Sequence, residues 1–277
     1  QAPIPSTSKI ELEEVVADIQ RLHMRPENEG ATFQVASQFN LLEMMGPSFT
    51  PELGVGIYED DLTQGPACAI ACLAGTIYRN YFVPLQNGHG QTVDRQINCL
   101  HDIETHLGAH HKFLWDMRNG YALPTRQSLI DINQTLETQD TDILRGLLRI
   151  GVQSDTQVTV NDANRLVTQV YCSAMPVAYS QVEADLWEPI AQLILEAAYE
   201  ATLYSAVQNA DRTGNHRVFL TLLGGGAFGN RQGWIIQAIL RTLDKFQNSG
   251  LKIFLVSHRQ SSIIASKIIS EFNLENK

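Results

Sequence analysis

Apolar positions along this chain come in two rhythms. Nearly continuous apolar runs of strand length occupy 31–40, 150–158, 165–175, 217–223 and 251–257, the pattern of strands buried on both faces. Between them lie stretches whose apolar residues recur at helical spacing: 66–82, 186–206, 233–247 and 261–271. In the third of these, Ile235, Ile236, Ile239, Leu240, Leu243 and Phe246 line up on one helix face. Residues 8–24 carry Ile10, Leu12, Val15, Val16, Ile19 and Leu22, and predict a first helix with Ser8 as its N-cap. Strands alternating with helices predict an α/β fold with a mixed or parallel sheet covered on both faces.

The middle of the chain is less patterned. Helices are predicted over 93–107 and 140–148, with a turn-bearing stretch at 115–123 around Asn119-Gly120. The segment 83–148 reads as a helical insertion within a single domain spanning 1–277. In the helix 186–206, Glu188, Gln192, Glu196 and Glu200 form a polar stripe at four-residue spacing, which predicts a solvated face. The segment 46–65 holds Pro47, Pro51, Gly54 and Gly56 and then Tyr58, Glu59, Asp60 and Asp61. An irregular segment of that length is usually functional or disordered.

The stretch LLGGGAFGN, 222–230, follows one predicted strand and precedes a predicted helix. Strand, glycine loop and helix together gather backbone N–H groups and a helix N-terminus around an anion. Gly224, Gly225 and Gly226 allow left-handed backbone and close approach, and Phe228 sets a ring beside them. A second helix start is predicted at Pro66, with Thr63 or Asp61 as its cap. It supplies the other half of a pyrophosphate clamp. Asn40, at the carboxyl end of its strand, stands where open α/β sheets collect ligands; a turn Asn satisfying local backbone is the equal alternative.

The 277 residues carry 30 acidic against 20 basic side chains, a net charge of −10, without a Lys/Arg cluster. That argues against a nucleic-acid partner, whereas backbone N–H groups can still bind a small anion. No apolar run reaches membrane-spanning length. Cys68, Cys72, Cys99 and Cys172 sit in apolar surroundings without a disulfide pattern, which predicts a reducing compartment, cytoplasmic or nucleocytoplasmic. His101, His106, His110 and His111 match no closed zinc spacing and are read as surface histidines, so no metal or cofactor is expected.

Several blocks together carry a resemblance. LGGGAFGN followed by LKIFLVS resembles the second phosphate loop of macrodomains, the ADP-ribose-binding modules. VASQFN resembles their strand ending in an Asn that faces the distal ribose, and QGPACAI (64–70) resembles their first glycine loop. ASQFN, TQGPACAIA, RNYF, QVYCSAMPVAYS and LTLLGGGAFGN are similar to the divergent MavL-like group of ADP-ribosylhydrolases. The blocks span roughly residues 31–82 and 165–257. The resemblance implies a three-layer α/β/α fold and ADP-ribose as ligand. Asn40, Gln64, Gly65, Ala67 and the run Gly224, Gly225, Gly226, Ala227, Phe228, Gly229 and Asn230 would contact it. It also implies hydrolysis of ADP-ribose from arginine on a modified protein, with ubiquitin as the carrier suggested by that group. The chain departs from ordinary macrodomains in having one glycine rather than three in the first loop, and a long acidic segment between Asn40 and Gly65.

Cleaving a ribose–guanidinium bond passes through an oxocarbenium-like state, which calls for a carboxylate near the anomeric carbon. Asp61 is the first candidate and Asp60 the second, because both immediately precede the first glycine loop; Glu43 and Glu59 are weaker ones. No Ser-His-Asp or Cys-His arrangement is readable, and no G-x-G-x-x-G follows an early strand. Two readings stand side by side: an ADP-ribosylhydrolase, and a non-catalytic reader of ADP-ribosylated proteins.

Overall fold

A computed structural model describes residues 8–108 and 114–275. The elements run β1 (Glu11–Val16), α1 (Ile19–Met24), β2 (Thr32–Ala36), α2 (Gln64–Ala71) and α3 (Leu73–Ile77), which passes into a π-helical turn, Tyr78–Phe82. The short pair β3 (Pro84–Leu85) and β4 (Gly88–His89) follows, then α4 (His101–Leu107), the hairpin β5 (Asp116–Arg118) and β6 (Tyr121–Leu123), α5 (Arg126–Leu136) and α6 (Thr141–Leu147). The chain then forms β7 (Gly151–Gln157), β8 (Leu166–Cys172), α7 (Ala184–Thr213), β9 (Arg217–Leu220), α8 (Gln232–Lys245), β10 (Lys252–Ser257) and α9 (Ile263–Glu275).

Six strands form one sheet in the order β1-β10-β9-β2-β8-β7, parallel except for β7. Successive residues of β2 show the layers, since neighbours on a strand point to opposite faces. Phe33 stacks on His23 of α1 at 3.8 Å between ring centres, while Gln34 donates to Thr202 of α7 at 3.0 Å. Helix α2 packs against α1 on the first side; α8 packs on α7, and α9 on α8, on the other. The chain is thus an α/β fold with helices on both faces of a mixed sheet. One hydrophobic cluster runs from Ile10 to Phe272 and includes Leu100, Ile103, Leu129 and Ile132 of the segment 83–148.

Four expectations need correction. Residues 8–24 are a strand and then a short helix, not one helix. β1 lies along β10 over its whole length, with Glu11 opposite Lys252 and paired to it at 3.2 Å. Its apolar spacing fits either period, and an open sheet edge decided between them. Asp18 then caps α1 by accepting from the Arg21 N–H. Within 93–107 only His101–Leu107 is helical. Thr92 and Arg95 form a β-bridge, and Asn98 accepts from the Leu100 N–H, so the backbone before the helix is already engaged.

The segment 83–148 holds two small antiparallel pairs besides its helices. Its longest helix, α5, escaped the sequence reading, although Leu129, Ile132 and Leu136 sit at helical spacing and are buried. Finally, the stripe on α7 is solvated at Glu188 but not over its second half. Glu196 and Glu200 are 9% and 7% exposed, under α6 and α8. Arg145 reaches Glu196 at 2.7 Å, Arg241 reaches Glu200 at 2.9 Å, and Lys245 closes on Glu200 as well. Sequence spacing alone does not reveal such partners, because they arrive from other helices.

Beside β2 the sheet opens. β2 pairs with β9 only at Thr32–Val218 and Phe33–Phe219, whereas its pairing with β8 continues to Ala36–Cys172. Ala31 and Ser37 bond toward β8, so the backbone groups of Gln34 and Ala36 face the β9 side, where no strand partner follows. The Gln64 side chain takes that place: its amide nitrogen donates to the Gln34 carbonyl at 2.8 Å, and its oxygen accepts from the Ala36 N–H at 2.9 Å. Gln64→Ala strips partners from both groups and should lower stability by about 2–6 kcal/mol, at about 1–3 kcal/mol for each orphaned group. Urea unfolding measures it. Gln64→Glu keeps the shape but offers no donor to Gln34, and should not restore the loss.

Candidate functional site

The opening between β2 and β9 is also where the strand order reverses. From β8 the chain crosses β2 through α7 to reach β9 and continues outward to β10, while β7 lies on the opposite side. Ligands of open α/β sheets bind in such a crevice, at the carboxyl ends of the strands. A cleft with about 820 Å³ of empty space, open solvent at its mouth included, lies there. Its walls are the end of β2 (Ala36, Ser37, Gln38), the turn at Glu43, Met44 and Met45, the start of α2 with Asp61 before it, and the glycine loop after β9.

The loop 222–230 is built from consecutive tight turns. The Gly225 N–H donates to Leu222 and that of Gly229 to Gly226, both at 3.0 Å, and Asn230 closes the loop onto the Gly224 carbonyl at 2.9 Å. The Asn230 amide nitrogen also donates to Met175 at 2.8 Å, fixing the loop to the segment after β8. Gly224 has φ 73°, and a Cβ there would lie 2.6 Å from Ala174 and Asn230. A Cβ on Gly226, by contrast, would meet nothing within 4 Å.

On the other wall, Thr63 stands at the N-cap position of α2, but its side chain makes no cap bond; Asp61 accepts from the Thr63 N–H at 2.8 Å. Pro66 is the third helical residue rather than the first, still within the turn where a missing N–H costs nothing. The N–H groups of Gln64 and Gly65 therefore start the helix without intrahelical acceptors. A Cβ on Gly65 would lie 2.0 Å from the Ala36 carbonyl oxygen. Glycine alone lets the helix start sit this close to the strand end. Two N–H-rich backbone ends thus border one cleft, an arrangement that favours an anion.

Of the residues proposed from sequence, Asp61, Gln64, Gly65, Gly224, Gly226, Ala227 and Phe228 line the cleft. Asn40, Asp60, Ala67, Gly225, Gly229 and Asn230 are not part of its lining. Asn40 is fully buried, donates to Gln96 at 2.8 Å and accepts from the Leu42 N–H at 3.1 Å. The strand ends at Ala36 and the chain then turns sharply, with Leu41 at φ 64°. That turn tucks Asn40 against Gly120 of the β5–β6 turn, where a Cβ would lie 2.6 Å from the Asn40 oxygen. Its local, structural role prevails here. Asp60 is exposed at the end of the 3₁₀ turn Val55–Asp60.

Phe228 has a double placement. It lines the cleft and also forms a ring cluster with Tyr121 at 5.3 Å and Tyr179 at 5.7 Å. Sequence reasoning missed both tyrosines. They come from the β5–β6 hairpin and from the turn after β8, and no local pattern marks them as neighbours of a loop some fifty or a hundred residues later.

Glu43 is the strongest electrostatic feature of the cleft. It is 2% exposed, and burial pushes its carboxyl up to about 7 against the opposing pull of the Arg79 guanidinium. Arg79 lies 3.6 Å away. The four cysteines are buried and free, and burial raises all their thiols, Cys72 to about 12, so none is a ready nucleophile. Among the described residues, no group of three or more His, Cys, Asp or Glu could hold a metal ion, and no helix is long and apolar enough to cross a membrane. His101 and His106 are exposed; His110 and His111 lie outside the described residues.

No family model and no curated protein sequence matches the chain. Among solved structures it is similar to the macrodomain of Oceanobacillus iheyensis. A point mutant of that protein shows 14% identity and a TM-score of 0.42, over 99% of this chain and 95% of the other. The same macrodomain with ADP shows 14% identity and a TM-score of 0.40, over 99% and 94%. A second mutant, with ADPR, shows 13% identity and a TM-score of 0.40, over 100% and 98%.

Because Gly226 is open to the cleft and its backbone is unstrained, Gly226→Glu should leave the melting temperature of the free protein unchanged. Calorimetry with ADP-ribose should then show binding lost, since a carboxylate occupies the anion site. Phe228→Ala should weaken ADP-ribose binding by about 1–3 kcal/mol. Contrary to a purely ligand-facing role, it should also lower the free protein's melting temperature, because the ring packs on Tyr121 and Tyr179.

Proposed function

We propose that this protein binds ADP-ribose in the cleft and hydrolyses the ADP-ribose–arginine bond of modified proteins. The observation that carries this reading is one cleft bordered by two N–H-rich backbone ends and by two carboxylates, Asp61 and Glu43. The pyrophosphate takes the N–H groups of Gly224, Gly226, Ala227 and Phe228, which the turns of the loop do not use, and those of the α2 start. The distal ribose lies beside Phe228. Asn40, Ala67, Gly225, Gly229 and Asn230 act by shaping these walls. Asp61 stands at the mouth of α2, where its negative charge stabilises the cation that develops at C1″ and attracts the guanidinium of the substrate. The sequence blocks resembling the MavL-like group support arginine as the linkage, and they suggest modified ubiquitin as one substrate to test.

One observation favours the reader instead. The Asp61 carboxylate already accepts the Thr63 N–H, which is the work of a structural cap. A single experiment separates the two readings: release of ADP-ribose from arginine-, serine- and glutamate-modified proteins. The wild type should act on the arginine substrate. Asp61→Asn should lower that rate by roughly 10²–10⁴-fold with ADP-ribose affinity nearly unchanged, because the charge matters in the transition state rather than in the bound product. Asp60→Asn, outside the cleft lining, should have the smaller effect. Release from glutamate alone overturns the arginine assignment, and release from no linkage leaves the reader.

A further inference from the structure

Glu43 is buried in the cleft wall, and no donor meets either carboxylate oxygen in good hydrogen-bond geometry, the Tyr58 hydroxyl standing close enough only to favour its anion. That is unusual, since buried carboxylates are ordinarily held by several donors. Its nearest cation turns three of its five N–H groups elsewhere. The Arg79 guanidinium donates to the Leu41 carbonyl at 3.1 Å, to Gln153 at 2.8 Å and to Thr76 at 3.2 Å, and it lies over the Tyr171 ring at 3.6 Å. It gives Glu43 a compensating charge at 3.6 Å and no hydrogen bond.

The surrounding backbone is nevertheless fixed. The Glu43 N–H donates to the Tyr58 hydroxyl at 3.2 Å, and the next N–H, of Met44, donates to the Gln38 side chain at 2.6 Å. The side chain passes beside Gly65, where a Cβ would lie 3.3 Å from the Glu43 Cγ. The fold thus holds a weakly engaged proton acceptor next to the start of α2, its residue lining the same cleft as Asp61 and its two oxygens covered just behind the wall. Of the two carboxylates, Asp61 has an oxygen committed to Thr63 and Glu43 has none committed.

We propose that Glu43 is the general base of this cleft, accepting the proton of the water that attacks the ribose. The assignment rests on the hydrolase reading. In the step, a water oxygen bonds to C1″ as the bond from C1″ to the guanidinium nitrogen breaks. The bonding pair leaves with that nitrogen. The water proton passes to Glu43 and then to the departing guanidine, giving ADP-ribose with a free 1″ hydroxyl and protonated arginine. Asp61 contributes charge and Glu43 contributes the proton transfer.

Four influences act on the Glu43 carboxyl besides burial, one of them its own backbone N–H, which lowers it. Arg79 from the π-helical turn and the Tyr58 hydroxyl lower it, and Asp61 raises it. Tyr171 of β8 and Cys68 of α2 lie within its field and stay neutral, their own protons held by burial. The balance leaves the carboxyl at about 7. The anion is the working form of a base, so activity should rise with pH through about 7 and then level off.

The test combines a variant with a measurement that needs none. Glu43→Gln should reduce kcat for release from the arginine substrate by roughly 10²–10⁴-fold, keep ADP-ribose affinity within a few-fold, and lose the pH limb. The wild-type profile of kcat/KM should itself carry that limb. A Glu43→Gln enzyme that keeps near wild-type kcat overturns the proposal, as does a flat wild-type profile across neutrality. Should the variant fail to bind ADP-ribose, the wild-type profile decides alone. If Asp61→Asn is inactive while Glu43→Gln is active, this assignment falls and the hydrolase reading stands. A wild type that releases nothing removes both.

Discussion

The cleft exists because one side-chain amide replaces a strand. Where β9 parts from β2, the Gln34 carbonyl and the Ala36 N–H would be left without partners beside the core, each at a cost of about 1–3 kcal/mol. Gln64 satisfies both and, being the first residue of α2, fixes the start of that helix against the sheet. The same contact requires glycine at the next position, since nothing larger fits against the Ala36 carbonyl. Opening the sheet, seating the helix and presenting its free N–H groups are therefore one arrangement. Gln34 completes it from the other face, accepting from the Thr221 N–H at 3.3 Å and donating to Thr202 of α7.

This arrangement also explains how a chain with a net charge of −10 can offer an anion site. The positive potential comes from aligned N–H groups at a helix start and a glycine loop, not from side-chain cations. Arg79, which is not part of the cleft lining, is engaged by Leu41, Gln153, Thr76 and the Tyr171 ring. Carboxylates such as Asp61 can then share the cleft with an anion without cancelling a salt bridge that holds the ligand.

What the sequence made legible was what local pattern can encode. The runs 31–40, 165–175, 217–223 and 251–257 each hold a strand of the sheet, and the glycine loop and the α2 start both border the cleft. The errors share a cause. β1 was taken for helix because its period is ambiguous and only its pairing with β10 decides. Glu196 and Glu200 were placed in solvent because their partners Arg145, Arg241 and Lys245 belong to other helices. Asn40 reads equally as a strand-end residue at a ligand and as a turn Asn, and only the fold shows that the strand ends at Ala36 and a left-handed Leu41 turns the chain. Tyr121 and Tyr179 were invisible for the same reason: long-range neighbours carry no local signal.

Glu43 illustrates the limit most sharply, for nothing in its local sequence distinguishes it from the acids at 59–61. Those acids sit in a more open segment, while Glu43 follows the tight turn that carries the chain back beneath α2. Burial there works against ionisation, Arg79 works for it, and three of the guanidinium's five N–H groups are turned elsewhere. A fully hydrogen-bonded ion pair would have locked the carboxylate in its charged form. A carboxyl without any cation would have stayed neutral well above neutrality. Charge compensation with little hydrogen bonding holds it between these extremes, where a proton can be taken up and given back.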